Sequence, residues 1–258
     1  MGRIGFRTAG FREWRVEDAL AALGDLGYDG VELCLENADC RPEGLTPVRC
    51  RELATVCRHA GLAVASVSYH GDGEESAERW SNIVRSVALT PEFGTDVLIT
   101  NAGHTRPGET DAQWRQFVQQ LGDLMPQAEA TGCRVAVEPE PGMFVGSSDD
   151  GARLLREVGS PHLAINLDVG HAFLTDPDVP QTIRELGTAI AHTHLEGMPR
   201  GEHRHLVPGE GDLDLGAVLA ALGDTHYGGY LTVDLFNIAD DPVGYARRSL
   251  AGLRALLP

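Results

Sequence analysis

Apolar and polar positions alternate along this chain in blocks of two kinds. Short, β-branched and largely apolar runs occur at RIGFR (3–7), GVELCLE (30–36), LAVASVSYH (62–70), TDVLITNAGH (95–104), CRVAVEPEP (133–141), HLAINLDVGH (162–171), AIAHTHLEG (189–197) and GGYLTVDLF (228–236). They read as strands buried on both faces. Between them, apolar residues recur at helical spacing near 16–28, 47–61, 76–93, 111–131, 149–158, 179–187, 215–225 and 242–257. Eight strand–helix units follow one another with no linker or low-complexity break. The order predicts an α/β fold, a (β/α)8 TIM barrel in which residues 1–258 form a single domain. A doubly wound open sheet is the alternative, but no strand is followed by a GxGxxG phosphate turn.

Composition narrows the function classes. The net charge is −17, from 21 basic and 38 acidic residues, and every basic residue is Arg. A chain without lysine has no Schiff-base chemistry of its own. Its acidity argues against a nucleic-acid partner, because gripping a phosphate backbone needs many basic contacts. The five cysteines are odd in number and form no CxxC pair, which fits free thiols in a reducing compartment. MGRIGFRTAGFREW lacks the continuous apolar core of a signal peptide, and no run approaches the ~18 apolar residues of a membrane span. A cytoplasmic protein with no membrane partner is expected; its oligomeric state, including a homo-oligomer, stays open.

The reactive residues fall where a barrel keeps its active site, at the C-terminal ends of the strands. His70, His104 and Glu138 close strands three to five, Asp168 with His171 closes strand six, and His194 and Asp234 close strands seven and eight. His203 and His205 follow in the loop after strand seven. Imidazole mixed with carboxylate suits zinc, manganese or iron. A carboxylate inside an apolar strand is costly unless paired or metal-bound, which sets Glu138 and Asp168 apart from surface acids. His59, His162 and His226 read as ordinary helix or loop residues, and His192 as a core residue one layer below His194. Glu140 shares the parity of Glu138 but lies between prolines past the strand end. Asn166 is placed to orient Asp168. Glu32 reads as a buried hydrogen-bonding residue or a substrate contact.

The motifs VEPEPG (137–142), LDVGH (167–171), HTHLEG (192–197) and PGEGDLDL (208–215) give the whole chain a resemblance to the xylose isomerase-like TIM-barrel superfamily. That superfamily holds sugar-phosphate isomerases and epimerases, and apurinic endonucleases of the endonuclease IV type. The epimerase members imply one divalent metal on Glu138, Asp168, His194 and Asp234, with Glu138 and Asp234 also catalytic. Asp234 departs from the usual Glu, so its shorter reach places the two-base mechanism in question. The endonuclease IV branch implies up to three ions on His70, His104, Glu138, Asp168, His171, His194, His203, His205 and Asp234, with His203 standing where Asp is usual.

The resemblance implies a divalent-metal-dependent isomerase or epimerase of a small sugar, sugar phosphate, polyol or related keto compound, acting by proton transfer. Glu32, Arg200 and Arg204 are the expected substrate contacts, and Arg7, Arg12 and Arg106 lie in loops at the same end should a phosphate be present. The alternative is a phosphoesterase with two or three metal ions, acting on a small phosphoester. A barrel that binds without catalysing is the third reading.

Overall fold

In the computed structural model, which describes residues 2–257, the eight runs close into one barrel. Strands β1 (Arg3–Arg7), β2 (Gly30–Cys34), β3 (Ala63–Ser68), β4 (Val97–Asn101), β5 (Arg134–Glu138), β6 (Leu163–Asp168), β7 (Ile190–Leu195) and β8 (Tyr230–Val233) lie parallel in chain order, and β8 pairs back onto β1. Around them run α1 (Val16–Leu26), α2 (Pro47–His59), α3 (Ser76–Leu89), α4 (Thr110–Thr131), α5 (Ser148–Val158), α6 (Val169–Thr175), α7 (Val179–Leu186), α8 (Leu215–Asp224) and α9 (Pro242–Leu256).

Local chemistry starts the helices. The side chains of Thr46, Ser147, Asp178, Asp214 and Asp241 each accept a hydrogen bond from the backbone N–H three residues on, meeting one of the donors a helix start leaves unpaired. The main apolar layer lies between strands and helices, where Phe6, Leu33, Val67, Leu98, Val137 and Leu167 meet the inner helix faces. A separate small cluster of Val97, Ile99, Ala136, Ala164 and Ala191 packs across from strand to strand. On β4, β5 and β6 the residues sharing parity with that cluster turn polar toward the C-terminal end: Asn101, Glu138, Asn166 and Asp168.

Two irregularities keep this change of polarity in phase around the ring. Register slips between Val31 and Glu32 on β2, leaving Ala65 unmatched on β3, and between Ile165 and Asn166 on β6, leaving Ala191 unmatched on β7. An extra residue flips the strand face that follows it. Ala191 therefore joins the inner apolar cluster while His192 and His194 also point inward.

The strands are shorter than the apolar runs suggest. β4 stops at Asn101, and Gly103, at φ 93°, turns the chain outward so that His104 bridges to Met143 in a loop. β6 stops at Asp168, and His171 sits not on a strand but in α6, a helix the periodicity did not separate. Asp168 makes that break itself, its Oδ1 accepting the His171 backbone N–H at 2.8 Å.

Candidate metal centre

The ends of β5 to β8 bring four donors onto one point. His194 lies beside Asp168 in the β6–β7 register. Its Nδ1 is 3.3 Å from Glu138 Oε2, 3.7 Å from Asp234 Oδ2 and 3.9 Å from Asp168 Oδ2. On the far side of the ring, Nε2 meets Glu32 Oε2 at 2.9 Å. That carboxylate fixes the ring so that Nδ1 faces the three acids, the arrangement by which outer carboxylates orient metal-binding histidines. Asn166 Nδ2 donates to Glu138 Oε2 at 2.8 Å and lies 3.1 Å from His194 Nδ1, tying the two side chains together.

Charge at this point is unbalanced. Among the described residues the buried carboxylates are Glu32, Glu138, Asp168, Glu196 and Asp234, all gathered here, and the buried arginine is Arg7. Arg7 forms an ion pair with Glu32 Oε1 at 3.1 Å, donates to Asp234 Oδ2 at 3.0 Å, and its Nη2 lies 2.9 Å from His70 Nδ1. Burial opposes ionisation of Glu138, but His194 and His70 outweigh it and hold its carboxyl well below the ordinary range. Burial likewise opposes charge on His194, yet Glu32 and Glu138 hold its pKa well above the usual histidine value. His70 is pushed up to about 9: burial and Arg7 lower it, and Glu138 more than reverses them. Glu196 lies at the opposite extreme, with burial and then the charge of Asp168 raising its carboxyl well above the usual range. The acids draw positive charge inward, whether proton or metal.

Unpartnered atoms mark the same place. Asp168 Oδ2, Asp234 Oδ1, His70 Nε2, His171 Nδ1 and His205 Nε2 are buried without a hydrogen-bond partner, a costly condition that a bound cation or substrate would relieve. The residues fit a divalent metal: Glu138, Asp168 and His194 offer donor atoms within 4.8 Å of one another, and so do Asp168, His205 and Asp234. Adjoining them through the shared His205 is a further such group, His171, His203 and His205, in which His171 Nε2 and His203 Nε2 are 2.9 Å apart.

Other expected site residues are elsewhere. His104 is exposed and lines the neighbouring hollow with Gln113 and Phe117. Arg200 stacks on Phe173, 4.8 Å from the ring centre, at a third depression. Arg204 and Arg106 are exposed beside Glu202 and Glu109. Glu32 is buried beneath the cavity, behind His194, where it holds Arg7, Ser66 and His192. Arg7 is not a loop residue but the last residue of β1.

Glu196 escaped the sequence reading. It shares strand parity with His192 and His194, a signal that would have found it, and its Oε1 accepts the Gly170 N–H at 2.7 Å. A Cβ on Gly170 would overlap the Glu196 carboxyl and the Met198 methyl. Gly170→Ala is therefore expected to destabilise the protein by about 1–3 kcal/mol, read as a lowered denaturation midpoint; an unchanged midpoint would show that Glu196 is free to move.

A model of the xylose isomerase-like TIM barrel matches residues 20–256. The chain belongs to that family. Within it, the chain is 25% identical over 274 residues to the fructoselysine 3-epimerase of Shigella flexneri, covering 99% of this chain and 98% of that protein. It is 27% identical over 257 residues to the L-ribulose 3-epimerase of Mesorhizobium japonicum, covering 92% and 82%. The solved structure of 3-keto-D-glucoside 4-epimerase from E. coli shares the fold, with a TM-score of 0.82 at 22% identity over 99% of this chain and 100% of that one. Among the described residues, no helix is long and apolar enough to cross a membrane.

Proposed function

We propose that this chain is a divalent-metal-dependent epimerase or isomerase of a small sugar or related keto compound. The observation that carries the reading is the set of five buried carboxylates around Arg7, the buried arginine among the described residues, three of which, Glu138, Asp168 and Asp234, converge on His194 Nδ1. The sugar epimerases among its relatives support the same substrate class.

Glu138, Asp168, His194 and Asp234 would hold the metal. When bound, it supplies Lewis acidity, polarising the carbonyl and neighbouring hydroxyl and acidifying the C–H between them. The chain's own residues do the rest. Glu138, whose carboxyl stays ionised, takes the proton from carbon. Asp234 faces it from β8, both acids lying within 3.7 Å of His194 Nδ1. Arg7 occupies Asp234 Oδ2 and leaves Oδ1 without a partner, so Oδ1, once protonated from solvent, is the atom that would return a proton to the opposite face while Glu138 keeps the one it took. His171 Nδ1, 3.4 Å from Glu138 Oε1, is placed to bind a substrate hydroxyl. The buried free cysteines suit a reducing compartment, and we place the protein in the cytoplasm.

The test is solvent-deuterium incorporation into a panel of ketoses. Exchange at the carbon beside the carbonyl is expected, abolished by a chelator and restored by manganese, zinc or iron. Metal-loaded protein that exchanges none of them would overturn the reading. The His171–His203–His205 group favours a second reading, a phosphoesterase with more than one ion. Two or three ions per chain by anomalous scattering, with turnover of nitrophenyl phosphates, would establish it instead.

A further inference from the structure

Glu36, Asp72, Glu138, Glu140 and Asp234 line the cavity of about 260 Å³ at the barrel mouth. Four of these acids are accounted for. Glu138 and Asp234 are candidate metal donors, Glu36 lies 3.6 Å from Arg7 and 3.9 Å from His70, and Asp72 is exposed. Glu140 is half-buried and has no ion-pair partner among the described residues.

Glu140 is nevertheless fixed from several sides. Pro139 and Pro141 flank it and restrict its backbone. Its N–H donates to the Val145 carbonyl at 3.1 Å, and its carbonyl accepts the Met143 N–H at 3.0 Å. Buried Asn101, the residue paired with Glu138 in the β4–β5 register, donates from Nδ2 to Glu140 Oε2 at 3.0 Å. Arg79 holds Asn101 in turn, donating from Nη2 to its Oδ1 at 2.7 Å and to its carbonyl at 2.6 Å, while Nε reaches the His70 carbonyl at 2.5 Å. With the amide oxygen taken by Arg79, the amide nitrogen is the end that faces Glu140. All these Arg79 bonds fall on neutral oxygens, so the guanidinium acts here as a brace. Gly71 leaves it room: at φ 66°, a Cβ there would come within 2.8 Å of Arg79 Cγ.

One oxygen is left over. No hydrogen bond from the described residues reaches Glu140 Oε1, in the cavity that also holds Glu138. A carboxylate locked by its backbone and by one oxygen presents the other as a preset acceptor. The hydroxyl of a neutral sugar supplies the donor, in a charge-assisted bond.

We infer that Glu140 is a specificity-determining residue of this site, accepting a substrate hydroxyl at Oε1, and that Arg79, acting through Asn101, is its positioning residue. The inference rests on the epimerase reading above and adds how that site selects among ketoses.

Calorimetry on the metal-loaded protein tests it. The ligands are the tightest binder among fructose, psicose, tagatose, sorbose, ribulose and xylulose, and derivatives of it that each lack one hydroxyl. Loss of one particular hydroxyl is expected to weaken binding to the parent about 10–100-fold. In Glu140→Met, which keeps the length but no acceptor, the same loss should cost less than about threefold, with Glu140→Gln in between. Arg79→Met should shrink that hydroxyl's penalty, and Arg79→Lys should restore part of it, which a purely structural role would not do. A penalty unchanged in both Glu140 variants, the lack of any hydroxyl with such a penalty, or loss of bound metal from either Glu140 variant would overturn the inference. A penalty unchanged in Arg79→Met would remove Arg79 from its part. If ketoses exchange their proton while no penalty depends on Glu140, this inference falls and the epimerase reading stands. If none of the six binds or exchanges, both fall.

Discussion

Glu138→Gln is expected to lower kcat for ketose proton exchange by about 10²–10⁴-fold, the usual contribution of a positioned general base. The substitution is chosen to leave the rest in place. Glutamine keeps the length of the side chain and an oxygen that can accept from Asn166 Nδ2, now 2.8 Å from Glu138 Oε2. It cannot take a proton from carbon. Because Glu138 is also a candidate metal donor, the assay is run with saturating metal and the bound metal is counted in both proteins. Loss of exchange with metal still bound assigns the proton transfer to this carboxylate. A variant that keeps more than about a tenth of the parent rate would remove Glu138 from that role.

Arg7→Met is expected to cost about 3–5 kcal/mol of stability, because it strips the cation from a buried group of acids instead of replacing the whole set. Arg7 is 7% exposed at its side chain and lies 3.1 Å from Glu32 and 3.0 Å from Asp234, both buried. Methionine fills much of the volume but neutralises nothing. Arg7→Lys should recover part of the loss, since an ammonium supplies charge without the planar fork that reaches both acids at once. A divalent ion neutralises overlapping carboxylates, so the penalty should be larger in chelator than in metal. The four denaturation midpoints, parent and variant with and without metal, form a cycle whose coupling measures the overlap. A variant within about 0.5 kcal/mol of the parent in chelator would mean that the acids are protonated and need no counter-charge.

The buried polar residues of the candidate site were legible in part. Glu138, Asp168 and His194 each break an apolar strand with a group that burial penalises, and a polar residue so placed carries its own signal. The end of β6 was readable too: an acid closing a strand before Val-Gly-His is a helix N-cap, so Asp168 could have announced α6 and moved His171 onto a helix. His104 failed for a different reason. Counting it as a strand end assumed that β4 ran as far as its apolar letters, whereas pairing with β5 ends at Asn101 and Glu138 and the chain then turns outward.

What the sequence by itself determined was the order of eight strand–helix units, hence the barrel, and the kinds of side chain at its mouth. Both follow from local periodicity and from the cost of burying charge. What only the tertiary structure decided was which of those side chains meet. Arg7 closes the ring because β1 and β8, at opposite ends of the chain, are neighbours. The slips that strand Ala65 and Ala191 set the facing of Ser66, His192 and His194, and they exist only in the register between adjacent strands. A register is a property of two segments together, so no single run of letters contains it.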